Sequence, residues 1–221
     1  MILKIKGDIV SNEMKEIYEW FGYDCTTPGD VLTALEEMPK GDRLQVKINS
    51  GGGDVLAGQE IYATLRSRND VDIEVEGLAA SAASVIAMAG KSTISPIGMI
   101  MIHDVSISRT GGNHAQLSKQ AETLKAWDEA LASAYVEKTG KSKAEIIQMM
   151  DAETWITADK AVELGFIDAI SQADERVITN SIGNLKVTDE MIKKYEAKKA
   201  DIEEEKNNLL KDLDMFGSGK E

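Results

Sequence analysis

Cysteine is nearly missing from this chain of 221 residues, in which Cys25 is the only one. A single thiol excludes an intramolecular disulfide and any metal site built from several cysteines, and it suits a reducing cytoplasm. Cys25 lies in a turn-like Tyr-Asp-Cys-Thr-Thr-Pro-Gly segment without a nearby base, which makes it a poor nucleophile candidate. Histidine is almost as scarce: chemistry that needs an imidazole must use His103 or His114. Long apolar runs are lacking too. Nothing approaches the ~18 consecutive apolar residues of a membrane span, and Met1 to Asp8 alternates like a strand where a secretory signal would be continuously apolar. Positive charge is in short supply, with 25 Lys and Arg against 38 Asp and Glu and a net charge of −13. That balance argues against nucleic acid and against an anionic membrane surface as partners.

What is present is an ordinary globular composition, 43% hydrophobic and 29% charged. The length suits one domain plus an appendage and allows roughly 70% of the unfolded surface to be buried. Residues 1–6, 44–48, 71–76 and 99–102 read as strands. Between them, 27–38, 54–68 and 82–89 read as helices, with Leu32, Leu35 and Met38 on one face of the first and Val55, Ile61, Tyr62 and Leu65 facing inward on the second. Such alternation with short connections implies βαβ units and a mainly parallel α/β sheet. The second half reads as helical: a long amphipathic helix over 115–138, a helix from the capping box Ser142-Lys143-Ala144-Glu145 to about Met150, and a short helix over 157–164 stopped by Gly165. A domain boundary is expected near 171. Residues 172–221 form a charged tail in which Tyr195, Ile202 and Leu209 are spaced by seven, read as a solvated or loosely docked helix with a disordered end.

Three segments carry chemistry. Gly77-Leu78-Ala79-Ala80-Ser81-Ala82-Ala83-Ser84 places a hydroxyl where a strand breaks into a helix of small residues, a position that offers a nucleophile with backbone N–H donors beside it. The same composition also serves close helix packing. Asn49-Ser50-Gly51-Gly52-Gly53-Asp54 follows a strand and opens a helix. It lacks the Gly-Lys-Ser/Thr ending of a phosphate cradle and any dinucleotide spacing, so no cofactor is expected. Its backbone can instead present N–H groups to a cleft, to an oxyanion or to an extended peptide, although a tight strand–helix turn would use the same glycines. His103 closes the strand Met99 to Ile102, a site fixed by packing as a general base requires, whereas His114 sits among glycines and polar residues. The acids Asp151, Glu153, Asp159 and Asp168 all fall in the segment that returns after the helices.

Together these segments, with Met-Ile-His at 101–103 and Glu-Thr-Trp-Ile-Thr-Ala-Asp-Lys-Ala-Val-Glu-Leu-Gly-Phe-Ile-Asp at 153–168, resemble the Clp protease proteolytic subunit (ClpP) family over about residues 1–170. The resemblance is closest to the ClpP-like head maturation proteases of phages and prophages. It implies a spiral of ββα units and a cytoplasmic serine endopeptidase with Ser81 as nucleophile, His103 as base and the N–H groups of Gly53 and Ala82 as oxyanion hole. Gly51 and Gly52 would bind the substrate strand. The family's acid falls at Glu153, with Asp151 as the alternative, and Ser84 is left to packing. The resemblance also implies a homo-oligomeric ring, a heptamer or stacked rings with helix 115–138 at subunit contacts, and polypeptide substrates such as capsid scaffold or portal precursors. An ATP-dependent unfoldase is a further partner it suggests. Three departures favour the phage type: Gly51 stands where the family has a proline, the first strand begins at Met1 without an axial-loop extension, and the tail after 171 is additional. A crotonase-type acyl-CoA enzyme shares the spiral and the two-backbone oxyanion hole, and a non-catalytic assembly protein on the same fold is the third alternative.

Overall fold

The computed structural model describes residues 1–107 and 110–172. The expected tail, including the spacing of Tyr195, Ile202 and Leu209, lies outside the described residues.

Strand β1 (Ile2–Ile9) alternates buried Leu3, Ile5 and Ile9 with exposed lysines. A 3-10 turn at Asn12–Met14 and helix α1 (Lys15–Trp20) lead to the short strand β2 (Cys25–Thr26). Helix α2 (Pro28–Glu37) starts on a reciprocal cap between Thr27 and Asp30, with Pro28 in its first turn. Strand β3 (Leu44–Gly53) follows, then α3 (Val55–Arg66), opened by the Asp54 side chain accepting the Ala57 N–H. Strand β4 (Val71–Ala80) runs into α4 (Ala82–Ala87), and β5 (Lys91–Ile94) and β6 (Met99–Ile102) come next. Helix α5 (His114–Thr139) is capped by Asn113 and ended by Gly140 in the left-handed conformation. Helix α6 (Lys143–Asp151) uses the Ser142–Glu145 capping box. Strand β7 (Thr154–Thr157), α7 (Ala158–Glu163) and β8 (Ala169–Ile170) complete the described chain.

The sheet runs β2-β1-β3-β4-β5-β8, with every pairing in that order parallel. Strand β4 is its pivot. Asp72 to Val75 pair with β5, whereas Leu78 to Ala80 pair with β6 along the same edge, and β6 then carries β7 antiparallel. The change of partner coincides with a register shift between β3 and β4, where Asn49 accepts the Leu78 N–H at 3.1 Å. Side chains from both sheet and helices fill the core: Ile5, Ile48, Ile61, Leu65, Val75, Ile86, Ile100 and Phe166 are fully buried.

The α/β class with a helical second half is as expected, and four local expectations are corrected. Strand β3 continues through the three glycines, because Gly52 and Gly53 pair with Asp8 and Ile9 of β1. Strand β4 likewise runs past Glu76 to Ala80. Cys25 lies in a strand, not a turn, paired with Asp8. Leu32 is exposed on α2, whose inner face is Val31 and Ala34 with Leu35 and Met38 beside them. Helix α5 buries only Ala132, Ala134 and Tyr135 near its C-terminal end, leaving its N-terminal half exposed.

Candidate active site

Ser81 joins β4 to α4 with φ 53° and ψ −126°, a conformation that costs an L-residue on the order of 1–3 kcal/mol. Its N–H donates to Met101 O of β6 at 3.0 Å, which anchors the corner to the strand that ends at His103. The glycine strand makes room for this corner. A Cβ at Gly52, where φ is 98°, would lie 2.7 Å from both Ala80 O and Ser81 Cβ. A Cβ at Gly53 would lie 2.2 Å from Ile9 O. Asp54 N–H donates to that same Ile9 oxygen at 2.7 Å, which pins the end of the glycine strand against β1. Ser50, itself buried, donates to Gly7 O at 2.6 Å and accepts the Gly52 N–H at 3.1 Å, fixing the strand from behind. Gly52→Ala is therefore expected to lower stability by roughly 1–3 kcal/mol and to displace Ser81; a denaturant midpoint matching that of the unaltered protein would contradict this.

Gly53, Ser81, Ala82 and His103 line one cleft, together with Gln59 and Tyr135. Gly51 is exposed with open space above its Cα, and Gly52 is buried against the serine corner, so neither lines the cleft itself. Ser81 and His103 are half-buried and are not hydrogen-bonded to each other, a separation that unliganded sites commonly show. His114 opens α5 in an exposed position away from the cleft. Cys25 is not among the residues that line the cleft, and burial raises its thiol pKa, which disfavours the thiolate.

The four acids differ sharply. Asp168 is taken up structurally: it accepts from Lys138 at 2.8 Å and from the Ser92 N–H at 2.7 Å. Burial pushes its pKa up, but these donors outweigh burial and hold it below the usual carboxylate range. Asp159 is exposed in the first turn of α7. The β6–β7 ladder ends with Ile102 paired to Thr154, so His103 and Glu153 are the next residues of their chains beyond its last pair. Glu153 adopts φ 48° at the turn between α6 and β7, and its carboxylate accepts the Trp155 indole N–H at 3.3 Å. Asp151 ends α6 and adds negative charge beside Asp104, the residue after His103.

Asp104 has a buried Oδ1 without a hydrogen-bond partner. Its pKa is pushed up to about 6, first by burial and then by the charges of Asp128 and Asp151, with His103 working in the opposite sense. A carboxyl whose pKa is higher folded than unfolded favours the folded state at low pH, and that contribution fades as pH rises through the folded value. Asp104→Asn should thus raise the melting midpoint above pH 6 relative to the unaltered protein and change it little near pH 4. Equal midpoint differences at the two pH values would contradict the assignment.

The sequence reading passed over Asp104 and Gln59 in the cleft, and it left Ser84 to packing. Ser84 is fully buried, but its hydroxyl is engaged by Ser81 O and Tyr135. The fold and cleft define an α/β protein with a serine and a histidine at the end of a parallel sheet. The Clp protease family model matches residues 27–174, and the chain belongs to that family. Curated relatives agree. ATP-dependent Clp protease proteolytic subunit 1 of Streptomyces avermitilis is 36% identical over 134 residues, covering 59% of this chain and 61% of the relative. Subunit 1 of Chlamydia abortus is 33% identical over 144 residues, 63% of this chain and 75% of the relative. Subunit 2 of Tropheryma whipplei is 32% identical over 144 residues, 63% of this chain and 79% of the relative. The match thus spans about three fifths of the Streptomyces protein's length.

Proposed function

We propose that this protein is a cytoplasmic serine endopeptidase that cleaves extended polypeptides. The observation that carries this reading is the strained Ser81 at the strand–helix corner, sharing one cleft with His103, Gly53 and Ala82. In the proposed reaction His103 accepts the Ser81 hydroxyl proton as Oγ attacks the peptide carbonyl carbon. The N–H groups of Gly53 and Ala82 receive the tetrahedral oxyanion. The imidazolium then protonates the leaving amine, and water, deprotonated by the same imidazole, hydrolyses the acyl-enzyme. In this reading the extended substrate adds as a strand beside the glycine segment, where Gly51 is exposed.

Glu153 is the proposed acid, a reading supported by its place next to the last pair of the β6–β7 ladder, which His103 also adjoins, while Asp151 lies beside Asp104. Glu153→Gln is expected to lower kcat/KM about a hundredfold or more, with Asp151→Asn within about threefold; the reverse ranking would hand the role to Asp151. Membership of the Clp protease family and relatives named as ATP-dependent support assembly into a ring and service of an unfoldase. The largely exposed N-terminal half of α5 leaves a face available for subunit contacts. Gly51 in place of a proline supports the phage head-maturation type, with capsid scaffold or portal precursors as substrates. Hydrolysis of an unfolded polypeptide, stopped by a fluorophosphonate, is the test. Turnover of an acyl-CoA without such inhibition would instead support the crotonase-type reading.

A further inference from the structure

The peptide that joins Ser81 to Ala82 has two ends with different fates. Its N–H is one of the two proposed oxyanion donors. Its C=O is held by three bonds: Ser84 Oγ at 2.6 Å, Ser84 N–H at 2.9 Å and Val85 N–H at 3.3 Å. A peptide unit is planar and trans, so fixing the direction of the carbonyl fixes the opposed direction of the N–H. Serine hydroxyls often bond back to a carbonyl within a helix, but here the bond has a third member. Ser84 Oγ lies 2.7 Å from the hydroxyl of Tyr135, 51 residues away on α5. Ser84 has a single hydroxyl hydrogen, directed to Ser81 O, so Tyr135 is the donor to Ser84. Tyr135 is 2% exposed, its ring packs against Phe166 at 5.9 Å between centroids, and among the described residues its hydroxyl has no other hydrogen-bond partner. Burial raises its phenol pKa further above the ordinary value, which keeps the donor protonated.

We propose that Tyr135, acting through Ser84, is a positioning residue that locks the Ser81–Ala82 peptide with its N–H aimed into the oxyanion site. The inference rests on Ser81 being the nucleophile. The lock is needed because Ser81 is held at φ 53°, where rotation of the following peptide would relieve strain and carry the Ala82 N–H out of the cleft. A chain of hydroxyl donors ending on that carbonyl opposes the rotation, and each bond polarises the next. Since an oxyanion exists only in the transition state and intermediate, loss of the lock should appear in kcat and leave KM nearly unchanged.

The experiment compares wild type, Tyr135→Phe, Ser84→Ala and the double variant, each well below its melting midpoint. The readouts are the rate of fluorophosphonate labelling at Ser81, kcat and KM on a fluorogenic polypeptide, and the melting midpoint. Tyr135→Phe keeps the ring and removes only the hydroxyl, and it should slow labelling and kcat about tenfold with KM changed less than about twofold. Ser84→Ala should cost about ten- to a hundredfold in kcat, and the double variant should be no slower than Ser84→Ala, as expected for one relay. Unchanged kcat in Tyr135→Phe, a lowered melting midpoint with kcat retained, or losses that multiply in the double variant would overturn the proposal. Wild type labelled at Ser81 with unaffected variants defeats the relay alone. Wild type left unlabelled at Ser81 defeats the peptidase reading together with it.

Discussion

Ser81→Ala is expected to abolish fluorophosphonate labelling and to lower kcat for polypeptide hydrolysis by about 10³-fold or more, the largest effect of any single change in this protein. The magnitude follows from the chemistry. Without Oγ there is no acyl-enzyme, and only the oxyanion donors and binding remain to assist direct attack by water. The fold should survive, because Ser81 is held by its main chain: its N–H by Met101 O, its C=O by Ser84. Far-ultraviolet circular dichroism and the melting midpoint check that part. A variant that folds and still labels at the wild-type rate would remove Ser81 from the mechanism.

The second large effect is expected at His103. His103→Gln keeps a polar group at the end of β6 but cannot accept the Ser81 proton and pass it to the leaving amine, and general acid–base catalysis by a positioned side chain is worth about 10²–10⁴-fold. The packing of Ile100 and Ile102 in the core and the β6–β7 ladder hold the strand end in place, so the loss is expected in kcat and not in stability. His114→Gln, in an exposed position at the start of α5, should leave activity within about twofold, since surface changes away from special features rarely matter. Equal losses in both variants would mean that neither histidine acts as the specific base.

Much of the fold was legible because it rests on local signals. Alternation at Leu3, Ile5 and at Leu44, Val46, Ile48 marks β1 and β3, and the caps at Thr27, Asp54 and Ser142 mark helix starts. What was not legible depends on partners distant in the chain. Three successive glycines carry no strand propensity, and Gly52 and Gly53 belong to β3 through their pairing with Asp8 and Ile9. The two-residue β2 exists only as an edge partner of β1. In the site, Ser81 and His103 stood out because each ends a strand with a clear pattern. The acid did not, since no local pattern singles out Glu153, which comes near the end of β6 only through the antiparallel pairing of β6 with β7. Tyr135 was hidden for a like reason: nothing in a helical tyrosine foretells a bond to a serine 51 residues earlier.

The most direct test is to treat the wild-type protein with a fluorophosphonate and map the modified residue by mass spectrometry of its peptides. A single adduct on Ser81, lost in His103→Gln and absent from Ser84, is the predicted result. An adduct on another serine, or none in a protein that still cleaves polypeptides, would contradict the assignment of Ser81 and His103 as nucleophile and base.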